Sequence, residues 1–215
     1  MLRKSFRKFF LKRFEYSEAG QDIFALNLIG KNGTYLEVGG FKPKLDSNTY
    51  ILETQNNWRG ITIEFKKELQ SLWSSCKERK NRIYYEDALK FDYKTALEEN
   101  NLPLHLNYLS CDIDPRDKTF EALQIILKEG LSFDFISFEH DDYINNEFDT
   151  FMKNPFSNES YHKLASEYLI PKGYKIAVNN IYPKNKKNKI FETWFVNSKI
   201  NFEPIEFSEW KNNNL

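Results

Sequence analysis

Cysteine is nearly absent from this chain: Cys76 and Cys111 are the only two. Cys111 sits in an apolar run that reads as a buried strand, so a disulfide framework is not expected, and a reducing compartment fits better. Net charge is absent as well, since 31 basic side chains balance 31 acidic ones. A general polyanion binder carries a basic excess, so nucleic acid is not an expected partner. No apolar run approaches the roughly 20 residues that span a bilayer. The opening stretch LRKSFRKFFLKRF breaks every apolar pair with a charge and lacks the apolar stretch of a secretory signal. These absences predict a cytosolic protein.

What is present is bulk for a core. Hydrophobic residues make up 40% of the 215, with 19 Phe and 12 Tyr among the aromatics. That length suits one domain. Residues 1–19 read as a basic amphipathic extension. Leu2, Phe6, Phe9, Phe10 and Phe14 stand near helical spacing, with Arg3, Lys4, Arg7, Lys8, Lys12 and Arg13 around them. Such a helix either packs on the domain edge or, through residues 1–14, docks on an anionic membrane surface at its inner face.

Residues 20–199 form the expected domain, and 200–215 a tail. Short apolar runs predict strands at Thr34–Val38, Ile61–Glu64, Arg82–Tyr85, Leu106–Asp112 and Phe133–Glu139. Charged segments of helical spacing alternate with them at Ser47–Gln55, Lys66–Lys80, Tyr93–Asn100 and Asp117–Glu129. This rotation predicts an α/β fold with a mostly parallel sheet and helices on both faces. A helix at Tyr161–Leu169 ends near Pro171 and Gly173. Two further strand-like runs, Tyr174–Ile181 and Ile190–Asn197, flank the basic stretch PKNKKNK and read as an antiparallel hairpin.

One fingerprint is missing at the end of the first strand. The stretch GTYLEVGGFKP places Glu37, Gly39 and Gly40 there, but no G-x-G-x-x-G follows. That pattern would bring backbone amides to a dinucleotide pyrophosphate, so a nicotinamide oxidoreductase is disfavoured. A ligand without phosphates, such as S-adenosylmethionine, fits better. Glycines at this point let a ligand approach the backbone, and Glu37 can hold a cationic amino group; a plain tight turn is the alternative. Glu64 closes the second strand, where a carboxylate can accept both ribose hydroxyls of a nucleoside, or simply start a helix. Asp87, after the third strand, is a candidate for the adenine amino group.

In order, GQDIFALNLI, GTYLEVGG, SNTYILE, NNWRGITIE, LSCDIDPRDKTFEAL, ISFEHDDY and FETWFVN resemble the motifs of FkbM-like methyltransferases, from about Gly20 to Asn197. The resemblance implies a single Rossmann-like class I methyltransferase domain, with a seven-stranded sheet closed by the C-terminal hairpin. It also implies S-adenosylmethionine as donor and a hydroxyl acceptor on a sugar, surface glycan or related small metabolite. By position, Glu37, Gly39 and Glu64 fall in its cofactor motifs, and Asp112 on its fourth-strand acid. The chain departs from the family's pattern at Phe41, at Asp114-Pro115 and at Thr193.

Oxygen methylation needs a base, and His140 is the expected one, with Glu139 and Asp114 beside it at adjacent strand ends. Asp112, Asp114, Glu139 and His140 could also hold Mg2+ or Mn2+. Alternatively, Asp112 holds the methionine end of the cofactor and Asp114 caps the following helix. His105 reads as structural, at the opposite end of the sheet, and His162 as a possible cover of the acceptor pocket. A non-catalytic nucleoside- or partner-binding module that keeps the fold is the competing function.

Overall fold

The computed structural model describes residues 16–143, 160–183 and 189–215. The expected amphipathic helix over residues 1–14 lies outside them. The elements run α1 (Gln21–Leu28), β1 (Thr34–Val38), α2 (Tyr50–Asn56), β2 (Arg59–Ile63), α3 (Gln70–Ser75), β3 (Arg82–Tyr84), α4 (Tyr93–Glu99), β4 (His105–Cys111), α5 (Arg116–Lys128), β5 (Ser132–Glu139), α6 (Tyr161–Leu169), β6 (Tyr174–Ile181), β7 (Glu192–Asn197), β8 (Ile205–Glu206) and α7 (Phe207–Asn214).

Local chemistry sets several boundaries. The Asp92 carboxylate accepts the Thr95 N–H and caps α4, and Ser160 does the same for Lys163 at α6. Asn57 ends α2 in the left-handed region, φ 57, which asparagine tolerates better than most residues. The helix expected over Lys66–Lys80 is shorter, because the chain leaves helical geometry at Cys76 and turns Arg79 into a buried ion pair.

The strands form one sheet in the order β3-β2-β1-β4-β5-β7-β6-β8. From β3 to β5 every pairing is parallel, while β7 runs antiparallel to both β5 and β6. The parallel sheet and its closing hairpin are thus as expected. The short β8, parallel to β6, adds an eighth strand. The chain winds outward from β1 in one direction and from β4 in the other, so the switch point lies between them. Val38 pairs with Ile63 on one side and with Cys111 on the other, and Cys111 pairs with Phe138. The residues that follow these strands therefore emerge level with one another.

Alternate residues feed two cores. Leu36, Val38, Leu109, Cys111, Ile136 and Phe138 pack with α4, α5 and α6. Tyr35, Tyr108 and Phe135 face the other way, toward α1, α2 and α7. Each such side chain contributes about 1.5–3 kcal/mol by leaving water. The stretch 200–215, expected as a tail, is packed: Phe207 and Trp210 are buried, and Trp210 meets Trp194 edge-on at 4.8 Å. Gly20 leaves room for the Trp210 ring, which a Cβ there would meet at 2.8 Å.

Candidate functional site

The turn after β1 is built by backbone contacts. Gly39 has φ +90, and a Cβ on it would lie 1.6 Å from the Asp112 carbonyl oxygen. Its N–H donates to Ile63 O at 2.9 Å, and the Asp112 N–H donates to Val38 O at 2.9 Å. A Cβ on Gly40 would meet Thr62 Cγ2 at 2.3 Å. Both glycines are thus required by neighbouring strands, not only by room for a ligand. Phe41 follows with φ 38. Its N–H donates to Glu64 Oε2 at 2.6 Å, and its carbonyl accepts from Trp73 Nε1 at 2.9 Å. Glu64 Oε1 accepts the Lys66 N–H at 2.7 Å.

A cavity of about 520 Å³ opens beyond the carboxyl ends of β1 to β5. Gly39 and Phe41 form one wall, Ile63 to Lys66 the next, Glu86 to Leu89 a third, and Asp112 to Asp114 the floor, with Lys118 and Glu139 completing it. Six of the residues singled out from the sequence meet there: Gly39, Glu64, Asp87, Asp112, Asp114 and Glu139. Asp87 is partly occupied, accepting the Leu89 N–H at 3.0 Å and pairing with Lys90 at 3.3 Å.

Glu37, Gly40 and His140 are not in the lining. Glu37 points to the opposite face of the sheet. There it accepts from Thr49 Oγ1 and Thr62 Oγ1, each at 2.8 Å, and from Arg79 at 3.5 Å. Arg79 also pairs with Glu53 at 2.6 Å. Burial raises the Glu37 pKa, and Arg79 and the two hydroxyls pull against it. The residue expected to hold a ligand's amino group is held by the protein itself. Arg79 is the buried partner that reading the sequence missed. An acid inside an apolar strand needs a buried cation or hydroxyls, and that need was the available signal.

His140 is 1% exposed. Its Nδ1 accepts the Asp142 N–H at 3.2 Å, so Nε2 carries the proton of the neutral ring, facing Thr193 Oγ1 at 3.3 Å. Thr193 also contacts His162 Nδ1 at 2.8 Å, and the two imidazoles lie 5.6 Å apart. Burial pulls the His140 pKa down to about 4. His162 is drawn into this same pair, also with a pKa lowered by burial. His105, as expected, stays at the far end of the sheet, against Ser132 and Asp134.

Carboxyls crowd the floor instead. Asp112 and Glu139 share a hydrogen bond, and Asp141 bonds to Glu139 from a left-handed backbone, φ 48. Burial raises the pKa of all three, and buried acids at such range share protons. Asp114 is not the helix cap: Pro115 holds that position, without a side-chain bond, and Asp114 lines the cavity. Among the described residues, no three His, Cys, Asp or Glu side chains are grouped to hold a metal ion. The divalent-ion reading of Asp112, Asp114, Glu139 and His140 therefore has no geometric support, because the imidazole turns away into the protein. No helix among the described residues is long and apolar enough to cross a membrane.

No family model and no curated protein sequence matches the chain. Solved structures do. The chain is similar to the plantazolicin methyltransferase BpumL in complex with S-adenosylhomocysteine, with TM-score 0.56 and 8% identity over 84% of this chain and 83% of that one. It is also similar to the N-methyltransferase NodS from Bradyrhizobium japonicum WM9 in complex with S-adenosylhomocysteine, with TM-score 0.51 and 10% identity over 88% of this chain and 91% of that one. At such identity the likeness is one of fold: a Rossmann-like methyltransferase architecture.

Proposed function

We propose that the chain is an S-adenosylmethionine-dependent methyltransferase, and that its acceptor is a hydroxyl on a sugar, glycan or related metabolite. The observation that carries the first part is the cavity at the switch point, with Glu64 fixed in its wall. Each Glu64 oxygen already accepts one backbone N–H. A carboxylate has about four acceptor positions, so each oxygen keeps one for a ribose hydroxyl. The two amides hold that carboxylate in a single orientation before any ligand arrives, which lowers the ordering cost of binding.

The bound donor would supply an electrophilic methyl group on a sulfonium. The acidic floor suits its positive charge and its amino group, and Asp112 is the residue assigned to the latter. Asp87 is assigned to the adenine amino group through its remaining acceptor capacity. Proton removal from the acceptor falls to the carboxyls that line the cavity, Glu139 and Asp114. Burial, with Asp112 and Asp141 beside it, raises the Glu139 pKa above the ordinary carboxyl range, and a higher pKa makes a carboxylate a stronger proton acceptor. His140, bonded through both ring nitrogens, steadies the end of β5 behind them.

The hydroxyl acceptor rests on the resemblance of the motifs to FkbM-like methyltransferases and on this supply of bases. The direct test is thermal denaturation with S-adenosylhomocysteine and, separately, with NAD. The methyltransferase reading expects a shift with the first alone, growing with ligand concentration. A shift with neither would favour a non-catalytic module.

A further inference from the structure

The mouth of the cavity carries residues that cofactor binding leaves unused. Phe41 holds a left-handed backbone, φ 38, a costly conformation for a bulky residue. Such strain persists where the surroundings over-determine it, and it concentrates at functional sites. Here the clamp is the pair of hydrogen bonds from Phe41 N–H to Glu64 and from Trp73 Nε1 to the Phe41 carbonyl. Its effect is to stand the Phe41 ring at the cavity mouth, 45% exposed. Phe65, 72% exposed, stands on the adjoining wall. Large exposed apolar side chains gathered at one mouth mark a surface meant to be covered.

Charge adds a second constraint. Lys42 Nζ lies 4.8 Å and Lys66 Nζ 5.4 Å from the centroid of the same Phe41 ring. Neither lysine makes an ion pair among the described residues, and the nearby Glu64 carboxylate is turned inward to backbone amides. The Phe41 ring thus carries two ammonium groups that have no acidic partner, and the exposed Phe65 ring stands on the adjoining wall, which together suit an anion joined to something flat. Lysine meets phosphate as a point charge, and a phosphate has oxygens enough for both ammoniums. Ring faces, of a sugar or of a base, are what aromatic side chains cover.

We propose that this mouth seats the acceptor and selects a phosphorylated one, with a ring face on Phe65 and a phosphate at the Lys42 and Lys66 ammoniums held over Phe41. The inference rests on the methyltransferase reading. A sugar phosphate and a nucleotide share this chemistry, and separate ligands distinguish them.

The test uses the full chain saturated with S-adenosylhomocysteine. It is titrated calorimetrically with glucose 1-phosphate, uridine monophosphate, glucose and inorganic phosphate. At least one of the two phosphorylated probes should bind, about tenfold or more tighter than glucose or inorganic phosphate. Its affinity should fall as salt rises. Replacing both lysines (Lys42→Ala with Lys66→Ala) should weaken it about tenfold and remove that salt dependence. Phe65→Ala, at an exposed position where folding is not at stake, should weaken it severalfold. Lys42→Ala alone, at a position outside the cavity lining, should weaken the phosphorylated probe severalfold and leave S-adenosylhomocysteine binding as before. The proposal is overturned if neither phosphorylated probe binds, or if the variants bind them as the wild type does. It is overturned equally if Lys42→Ala loses S-adenosylhomocysteine, which would assign that ammonium to the cofactor's own carboxylate. If S-adenosylhomocysteine does not bind the wild type, the methyltransferase reading itself fails.

Discussion

Two groups of acids stand at the carboxyl ends of the same sheet, and they differ in who answers their charge. On the β1–β2 side, Glu37 is met by Thr49, Thr62 and Arg79, and Glu64 by two backbone amides. On the β4–β5 side, Asp112, Glu139 and Asp141 answer one another, and burial raises all three. The first group is tied down by donors from the rest of the chain, and it holds structure or offers its oxygens to a neutral hydroxyl. The second is built to exchange protons and to welcome a cation. An acid at a strand end thus has no fixed meaning until its partners are known.

The sharpest way to break this arrangement is at the turn between the two groups. Gly39→Ala drives a methyl into the Asp112 carbonyl at 1.6 Å, so it should cost about 4 kcal/mol or more. Urea unfolding measures this; a loss below about 1 kcal/mol would mean that the strands can move apart. Next comes Arg79→Met, which leaves Glu37 and Glu53 buried without their cation. Removing one partner of a buried pair costs about 3–5 kcal/mol. The same unfolding assay reads it, and a loss much smaller than that would show that water reaches Glu37.

The proton-exchanging side is tested by activity. With a true acceptor in hand, Glu139→Gln should lower turnover by about two to four orders of magnitude, the usual contribution of a general base. His140→Ala should lower it far less, since the imidazole is outside the cavity lining. The reverse ranking would return the base to His140.

A smaller effect follows from titration. Burial raises the Glu192 carboxyl, hydrogen-bonded to Gln21 at 2.6 Å, to about 8. The folded chain then holds a proton that the unfolded chain has lost, so stability falls as pH rises from the ordinary carboxyl range toward 8. For His140, lowered to about 4, the sign is opposite. Its contribution is present above the ordinary histidine pKa and is lost as pH falls through about 4. Glu192→Gln should flatten the fall in stability between the ordinary carboxyl range and about pH 8, and an unchanged fall would assign it to other groups.

The fold was legible because its central strands are covered on both faces and read as unbroken apolar runs, β4 and β5 most clearly. The last helix was not: α7 is a polar octapeptide whose two aromatics show their purpose only against Trp194. The lining of the cavity was legible where it follows from position after a strand, as for Glu64, Asp112 and Glu139. A residue's place was not legible where it depends on a distant partner. Glu37 is answered by Arg79 from 42 residues away, and His140 is sealed by Thr193 from 53 residues away. No local pattern reports such contacts.

The central claim is that the cavity binds the methyl donor through Glu64. Calorimetric titration of the wild type and of Glu64→Ala with S-adenosylhomocysteine tests it most directly. The substitution removes charge-assisted hydrogen bonds worth about 1.5–3 kcal/mol each, so affinity should fall at least about tenfold. Circular dichroism should first show the variant folded. Equal affinity in a folded Glu64→Ala, or no binding by the wild type, would contradict the account.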